Sequence, residues 1–128
     1  NYPFPNLCKN ILFAEKSKIV EVWGDGKQMR DFIHIDDCVQ GVIKTMNKIN
    51  DASAINLSTG KFTSFINFLN IGKKLSGFHF DIKTKKSKPV GVYARAGSTK
   101  KQRSYNFKHE IKIEQGIRRG LEYFEKLL

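Results

Sequence analysis

At 128 residues, with 40% hydrophobic and 12% aromatic content, the chain can bury one core and is too apolar for a disordered segment. No apolar run approaches the ~20 residues of a membrane span, and two cysteines, Cys8 and Cys38, are too few for a disulfide framework. The charge is lopsided: 23 Lys and Arg against 12 Asp and Glu leave +11, which suits either anionic partners or a solvated lysine-rich surface.

The opening Asn1-Tyr2-Pro3-Phe4-Pro5 has no initiator Met and no leader-like apolar stretch, and reads as the interior of a longer chain. Leu7, Ile11 and Leu12 at helical spacing predict a helix over residues 4–15, with Pro5 harmless in its first turn. Residues 19–23 are apolar and β-branched and predict a strand, closed by a turn at Gly24-Asp25-Gly26. A second short strand is expected over 31–35, and Asp36 or Asp37 then caps a helix over 37–48. Val39, Val42, Ile43 and Met46 fall on one face of that helix. Residues 53–58 predict a strand ending at Thr59-Gly60. Thr63 or Ser64 caps a further helix to Ser76, terminated by Gly77, with Phe65, Phe68, Leu69 and Leu75 on its buried face. Residues 78–84 alternate as a strand, and 85–98 form a loop shaped by Pro89, Gly91 and Gly97. Ser98 or Thr99 opens a short helix near 99–105. The last helix spans 113–127, with Ile113, Ile117, Leu121, Phe124 and Leu128 as its stripe. Helices and short strands in alternation predict an α/β chain.

The stretch richest in chemistry runs from Val22-Trp23 through the glycine turn to Arg30-Asp31-Phe32-Ile33-His34-Ile35-Asp36-Asp37. An arginine leaving a strand end beside a glycine turn can reach a cleft, and its guanidinium grips phosphate oxygens with two parallel bonds. Arg95, on a loop set by proline and glycine, has the same chemistry, whereas Lys88 offers a point charge without the fork. The bland alternative is that these are surface cations in weak ion pairs, and that Trp23 is a plain core or rim aromatic. His34 precedes two acids, but no nucleophile signature accompanies it, so a hydrogen-bonded structural histidine is expected. The three histidines and two cysteines are too scattered for a zinc site.

The order of glycine turn, arginine, short strand and His-hydrophobic-Asp-Asp resembles the extended short-chain dehydrogenase/reductases, the NAD-dependent nucleotide-sugar epimerases and dehydratases. Within them it is most similar to the GDP-fucose synthase and GDP-mannose epimerase types. Ala54-Ile55-Asn56-Leu57-Ser58-Thr59-Gly60, Lys88-Pro89-Val90-Gly91 with the later Arg95, and residues 113–124 continue the resemblance, which covers nearly the whole chain. Ser98, Tyr105-Asn106-Phe107 and Lys112 depart from it. The resemblance implies the C-terminal part of an extended Rossmann-type enzyme, with small substrate-binding elements and part of the sheet packing. It makes Arg30 and Arg95 the clamp on the substrate diphosphate, sets Val22 and Trp23 beside the base or ribose, and leaves Lys88 as a further contact. The implied ligand is a nucleotide-diphosphate sugar, preferably a GDP-sugar.

Two features that the resemblance calls for do not occur in these residues. No glycines have the Gly-x-x-Gly-x-x-Gly spacing that admits a dinucleotide pyrophosphate. None of Tyr2, Tyr93, Tyr105 and Tyr123 is followed four places on by the lysine that activates a catalytic tyrosine. NAD or NADP is therefore expected in the parent enzyme and not on residues 1–128 alone, which are expected to show no turnover and to contain no catalytic residue. The expected setting is cytoplasmic, with no membrane or nucleic-acid partner. Apolar faces in 31–60 are expected to lie open and to favour self-association. Two alternatives are a self-associating fragment without activity and a basic nucleic-acid module built on Lys83, Lys85, Lys86, Lys88, Arg95, Lys100, Lys101 and Arg103.

Overall fold

A computed structural model describes residues 2–128. The first helix, α1 (Pro3–Ser17), starts with both prolines in its opening turn and ends at Lys18, whose left-handed backbone returns its N–H to the Ala14 carbonyl at 3.0 Å. Leu7, Cys8, Ile11 and Ala14 are its buried face. Strand β1 (Ile19–Trp23) alternates, with Val20 and Val22 inward and Glu21 and Trp23 outward, as a pleat requires. It pairs in parallel with β4 (Asp81–Lys85), in register from Ile19 opposite Asp81 to Trp23 opposite Lys85.

Between them the chain makes β2 (Met29–Arg30), α2 (Ile35–Met46), β3 (Thr63–Ser64) and α3 (Phe65–Ser76). After β4 come β5 (Ala94–Arg95), α4 (Lys100–Ser104) and α5 (Ile113–Glu125). The two-residue strands form a second small sheet in the order β3-β2-β5, antiparallel on one side of β2 and parallel on the other. Helix α3 is capped as its sequence suggests: Ser64 accepts the Asn67 N–H, and Gly77 closes the other end on Lys73. Phe68 and Leu69 of α3 and Ile117 and Leu121 of α5 meet α1 and the inward face of β1 in one core. Phe4, Phe32 and Phe68 pack ring against ring at 5.3–6.1 Å between centroids.

Several local expectations are corrected. The strand expected over 31–35 is displaced to Met29–Arg30, because its neighbours are two residues long; the last rung is the Asp31 N–H on the Arg95 carbonyl, at 3.2 Å. Helix α2 therefore starts two residues early, and His34, rather than Asp36 or Asp37, is its cap: Nδ1 accepts the Asp36 N–H at 3.2 Å. Both aspartates fall in the first turn, where negative charge suits the helix dipole. Asp36 reaches Arg119 at 3.0 Å. Asp37 is buried and takes the Glu110 and Ile111 amides at 3.0 Å each. Residues 53–58 form no strand, since side chains and not a neighbouring strand meet them: Gln102 on Ser58, and Lys101 on Ser53 and Ala54. The Val39, Val42, Ile43 and Met46 stripe of α2 is exposed. Helix α5 ends at Glu125, leaving Leu128 exposed, and at its start Gln115 accepts the Lys112 N–H at 2.9 Å. No helix among the described residues is long and apolar enough to cross a membrane.

Candidate functional site

The alternation of β1 leaves Trp23 as its last outward residue, 56% exposed, directly before the glycine turn. Gly24 and Gly26 both take positive φ, at 74° and 72°, a backbone that L side chains adopt poorly. The Asp25 carboxylate accepts the Lys27 N–H across the turn at 2.9 Å. This reversal brings Gln28 and Arg30 back beside the end of β1. Gln28 is 3% exposed; its Nε2 donates to the Trp23 carbonyl at 2.8 Å, and its Oε1 is buried without a partner.

Arg30 is held in place rather than waving in solvent. Its Nη1 donates to the Met29 carbonyl at 2.7 Å and to the Val92 carbonyl at 2.8 Å. Its guanidinium carbon lies 5.6 Å from the centre of the Phe65 ring, a cation–π distance. Arg30, Val22, Trp23, Gln28, Phe65 and Pro89 line one cleft of about 450 Å³. Glu21 also borders it, with its carboxylate paired to Lys85 Nζ at 2.7 Å.

The other two sequence candidates lie outside that lining. Lys88 Nζ sits 5.8 Å above the Trp23 ring. Arg95 is exposed on β5, but register places it directly opposite Arg30 across a parallel pair. Three contributors were not picked out by sequence reasoning. Gln28 stood inside the quoted motif, but nothing in its spelling marks an inward-turned amide. Phe65 was expected as a core residue of α3; it is half-buried and faces the guanidinium. Asp31 follows Arg30 and accepts from the Ser58 hydroxyl, the Thr59 N–H at 3.0 Å, the Thr59 hydroxyl at 2.6 Å and the Gly60 N–H at 2.8 Å. It ties the Thr59-Gly60 turn to the end of the Arg30 strand.

Gly24-Asp25-Gly26 differs from the glycine turn of a dinucleotide cradle. Such a cradle needs a glycine turn running from a strand into a helix N-terminus. Here Gly24-Asp25-Gly26 runs into β2, and the starts of α2 and α3 are filled by His34 and Ser64. A second hollow of about 440 Å³, bordered by Phe4, Phe32, Ile35, Ile113, Tyr123 and Phe124, is mainly apolar and sits between the start of α2 and α5.

Residues 4–58 match the NAD dependent epimerase/dehydratase family. GDP-L-colitose synthase of Yersinia pseudotuberculosis is 26% identical over 127 residues, which are 97% of this chain and 41% of that protein. The chain is a homologue of the NAD-dependent epimerases and dehydratases. A putative UDP-glucose 4-epimerase of Methanocaldococcus jannaschii is 31% identical over 104 residues, 81% of this chain and 33% of the relative. Among solved structures, a GDP-mannoheptose C4 reductase from Campylobacter jejuni with NADP bound superimposes with a TM-score of 0.82 at 26% identity. That likeness takes in 98% of this chain and 45% of the reductase. The chain thus spans about two fifths of the length of these epimerase-family proteins. Its mixed helices and short strands are those of the Rossmann-type epimerase and reductase folds.

Proposed function

We propose that this chain is the C-terminal, substrate-binding part of an NAD(P)-dependent nucleotide-sugar epimerase, dehydratase or reductase, and that the Arg30 cleft takes the nucleoside diphosphate. One observation carries the reading: a guanidinium fixed by two carbonyls and an aromatic ring shares a cleft wall with a half-exposed indole. Nη1 is committed to the fold, so Nη2 and Nε form the edge offered to diphosphate oxygens. Because the side chain is already ordered, little rotamer entropy is lost on binding. Trp23 gives the base a stacking surface, a contact of ~1–3 kcal/mol in single-strand binders. Lys88 adds charge at the indole, and Arg95, paired with Arg30 through the backbone and outside the cleft lining, is the second cation proposed for the diphosphate. The apolar hollow beside α2 has no such pairing of charge and ring. GDP-sugars are the preferred ligands, ahead of UDP- and dTDP-sugars. No oxidation step is assigned to these residues, and a cytoplasmic setting is part of the proposal.

Calorimetric titration with GDP, UDP, GDP-mannose and UDP-glucose tests the reading. Saturable, base-selective binding is expected, weakened at least about tenfold by Arg30→Ala and by Trp23→Ala. Unchanged affinity in Arg30→Ala overturns it. With NAD added, the purified chain is expected to leave the sugar unchanged.

A further inference from the structure

Three segments distant in sequence meet around another hollow, of about 300 Å³, which shares no lining residue with the Arg30 cleft. Its walls bring together the cations Lys61, Arg103 and Lys108, the His109 imidazole, and the Thr59 and Thr99 side chains, and contain no carboxylate. None of the three cations enters an ion pair among the described residues; those pairs use Lys85, Arg119 and His34.

The framework under these cations is fixed. Buried Gln102 accepts the Ser58 N–H on Oε1 and donates Nε2 to the Ser58 carbonyl, both at 2.8 Å. Gly60 approaches Thr99 so closely that a Cβ on it would sit 2.9 Å from Thr99 Cγ2. Lys108 and His109 are pinned from both sides. Before them, buried Phe107 bonds the Gln102 carbonyl at 3.1 Å; after them, Asp37 holds the Glu110 and Ile111 amides. The Asp31 carboxylate, at the end of β2, is engaged by the four donors of Ser58, Thr59 and Gly60, and Glu114 lines the adjoining hollow with Lys61 and His109. Thr99 leaves its hydroxyl out of the α4 cap.

Cations gathered around one hollow with no carboxylate in its lining repel one another, and a bound dianion converts that repulsion into charge-assisted hydrogen bonds. The geometry points to a binding site for a soluble small molecule bearing a phosphate monoester, with Arg103 gripping the phosphate between Lys61 and Lys108. The volume stands at the small end of the ~300–1,000 Å³ usual for small-molecule pockets. The walls include no Phe, Tyr or Trp, so an unpaired nucleic-acid base has no ring of that kind to stack on.

The test is a titration of the 15N-labelled chain with inorganic phosphate and with ribose 5-phosphate, followed by amide shifts. Saturable shifts are expected at residues 59–61, 99–103 and 108–109. Arg103→Gln with Lys108→Gln, and separately Lys61→Gln on another segment, are expected to weaken binding at least about tenfold for the pair and severalfold for the single change. Lys83→Gln with Lys86→Gln, exposed cations outside the hollow, and Arg30→Ala, in the other cleft, are expected to stay within about twofold at this site. Unsaturable shifts spread over residues 83–88, or equal weakening by both lysine-containing pairs, overturn the proposal. So does a preference for single-stranded oligonucleotide, or for phosphatidylcholine vesicles with phosphatidic acid, over the free phosphates.

Discussion

Arg30 and Asp31 are neighbours in sequence and do opposite work. The arginine presents a positive edge to a cleft, while the aspartate turns its charge onto the backbone of a distant turn. Removing Asp31 leaves the Ser58 and Thr59 hydroxyls and the Thr59 and Gly60 amides without their acceptor. Hydrogen bonds to a charged group contribute about 1.5–3 kcal/mol, less where water replaces them. Asp31→Ala is therefore expected to lower unfolding stability by about 2–4 kcal/mol, read from the urea midpoint at unchanged slope. A loss below about 0.5 kcal/mol would show that the turn stands without it. At this scale the sequence motif was legible as a set of residue types, but not as a division of labour. An aspartate beside an arginine reads as its partner, whereas here it bonds residues 27–29 positions away.

The elements that matched expectation carry their reasons locally. Helix α3 has a serine cap, an apolar stripe and a glycine stop, and β1 has a two-residue alternation. The elements that shifted lack a neighbour: 31–35 runs out of partner strand after one rung, and 53–58 meets side chains instead of a ladder. Helix α2 keeps its predicted face, but that face is about half exposed among the described residues. Packing is close where α1 meets α3. A Cβ on Gly72 would stand 2.2 Å from Ile11 Cδ1 and 3.2 Å from Cγ1, and Ile11 is fully buried. Alanine gains about 1 kcal/mol of helix propensity over glycine, yet overpacking a buried contact costs about 1–3 kcal/mol. Gly72→Ala is expected to lower the melting temperature by about 5 °C. A rise would mean that Ile11 has room to move.

Across the whole molecule, one core made by α1, β1, α3 and α5 supports the Arg30 cleft and the Arg103 hollow on loops and strand ends. Cys8 lies in that core, and burial pushes its thiol up from 9.0 to about 12. The unfolded chain loses this proton near 9.0 and the folded chain keeps it to about 12, so over that window the unfolded state binds fewer protons. The Cys8 contribution to stability is therefore full below pH 9.0 and falls as pH rises toward about 12. At pH 8, iodoacetamide is expected to spare Cys8 in the folded chain and to label it in urea; labelling at equal rates in both would place Cys8 outside the core. Local chemistry was enough to bring out α1, β1, α3 and α5, though not every helix end, and the glycine turn with its arginine, because capping, periodicity and turn preference act over a few residues. Tertiary structure alone decided that Phe65 faces Arg30, that Arg95 stands opposite it outside the cleft, that Asp31 and Asp37 hold distant amides, and that three cations share one hollow. Those pairings join residues dozens of positions apart, and only the closure of the core brings them within bonding distance.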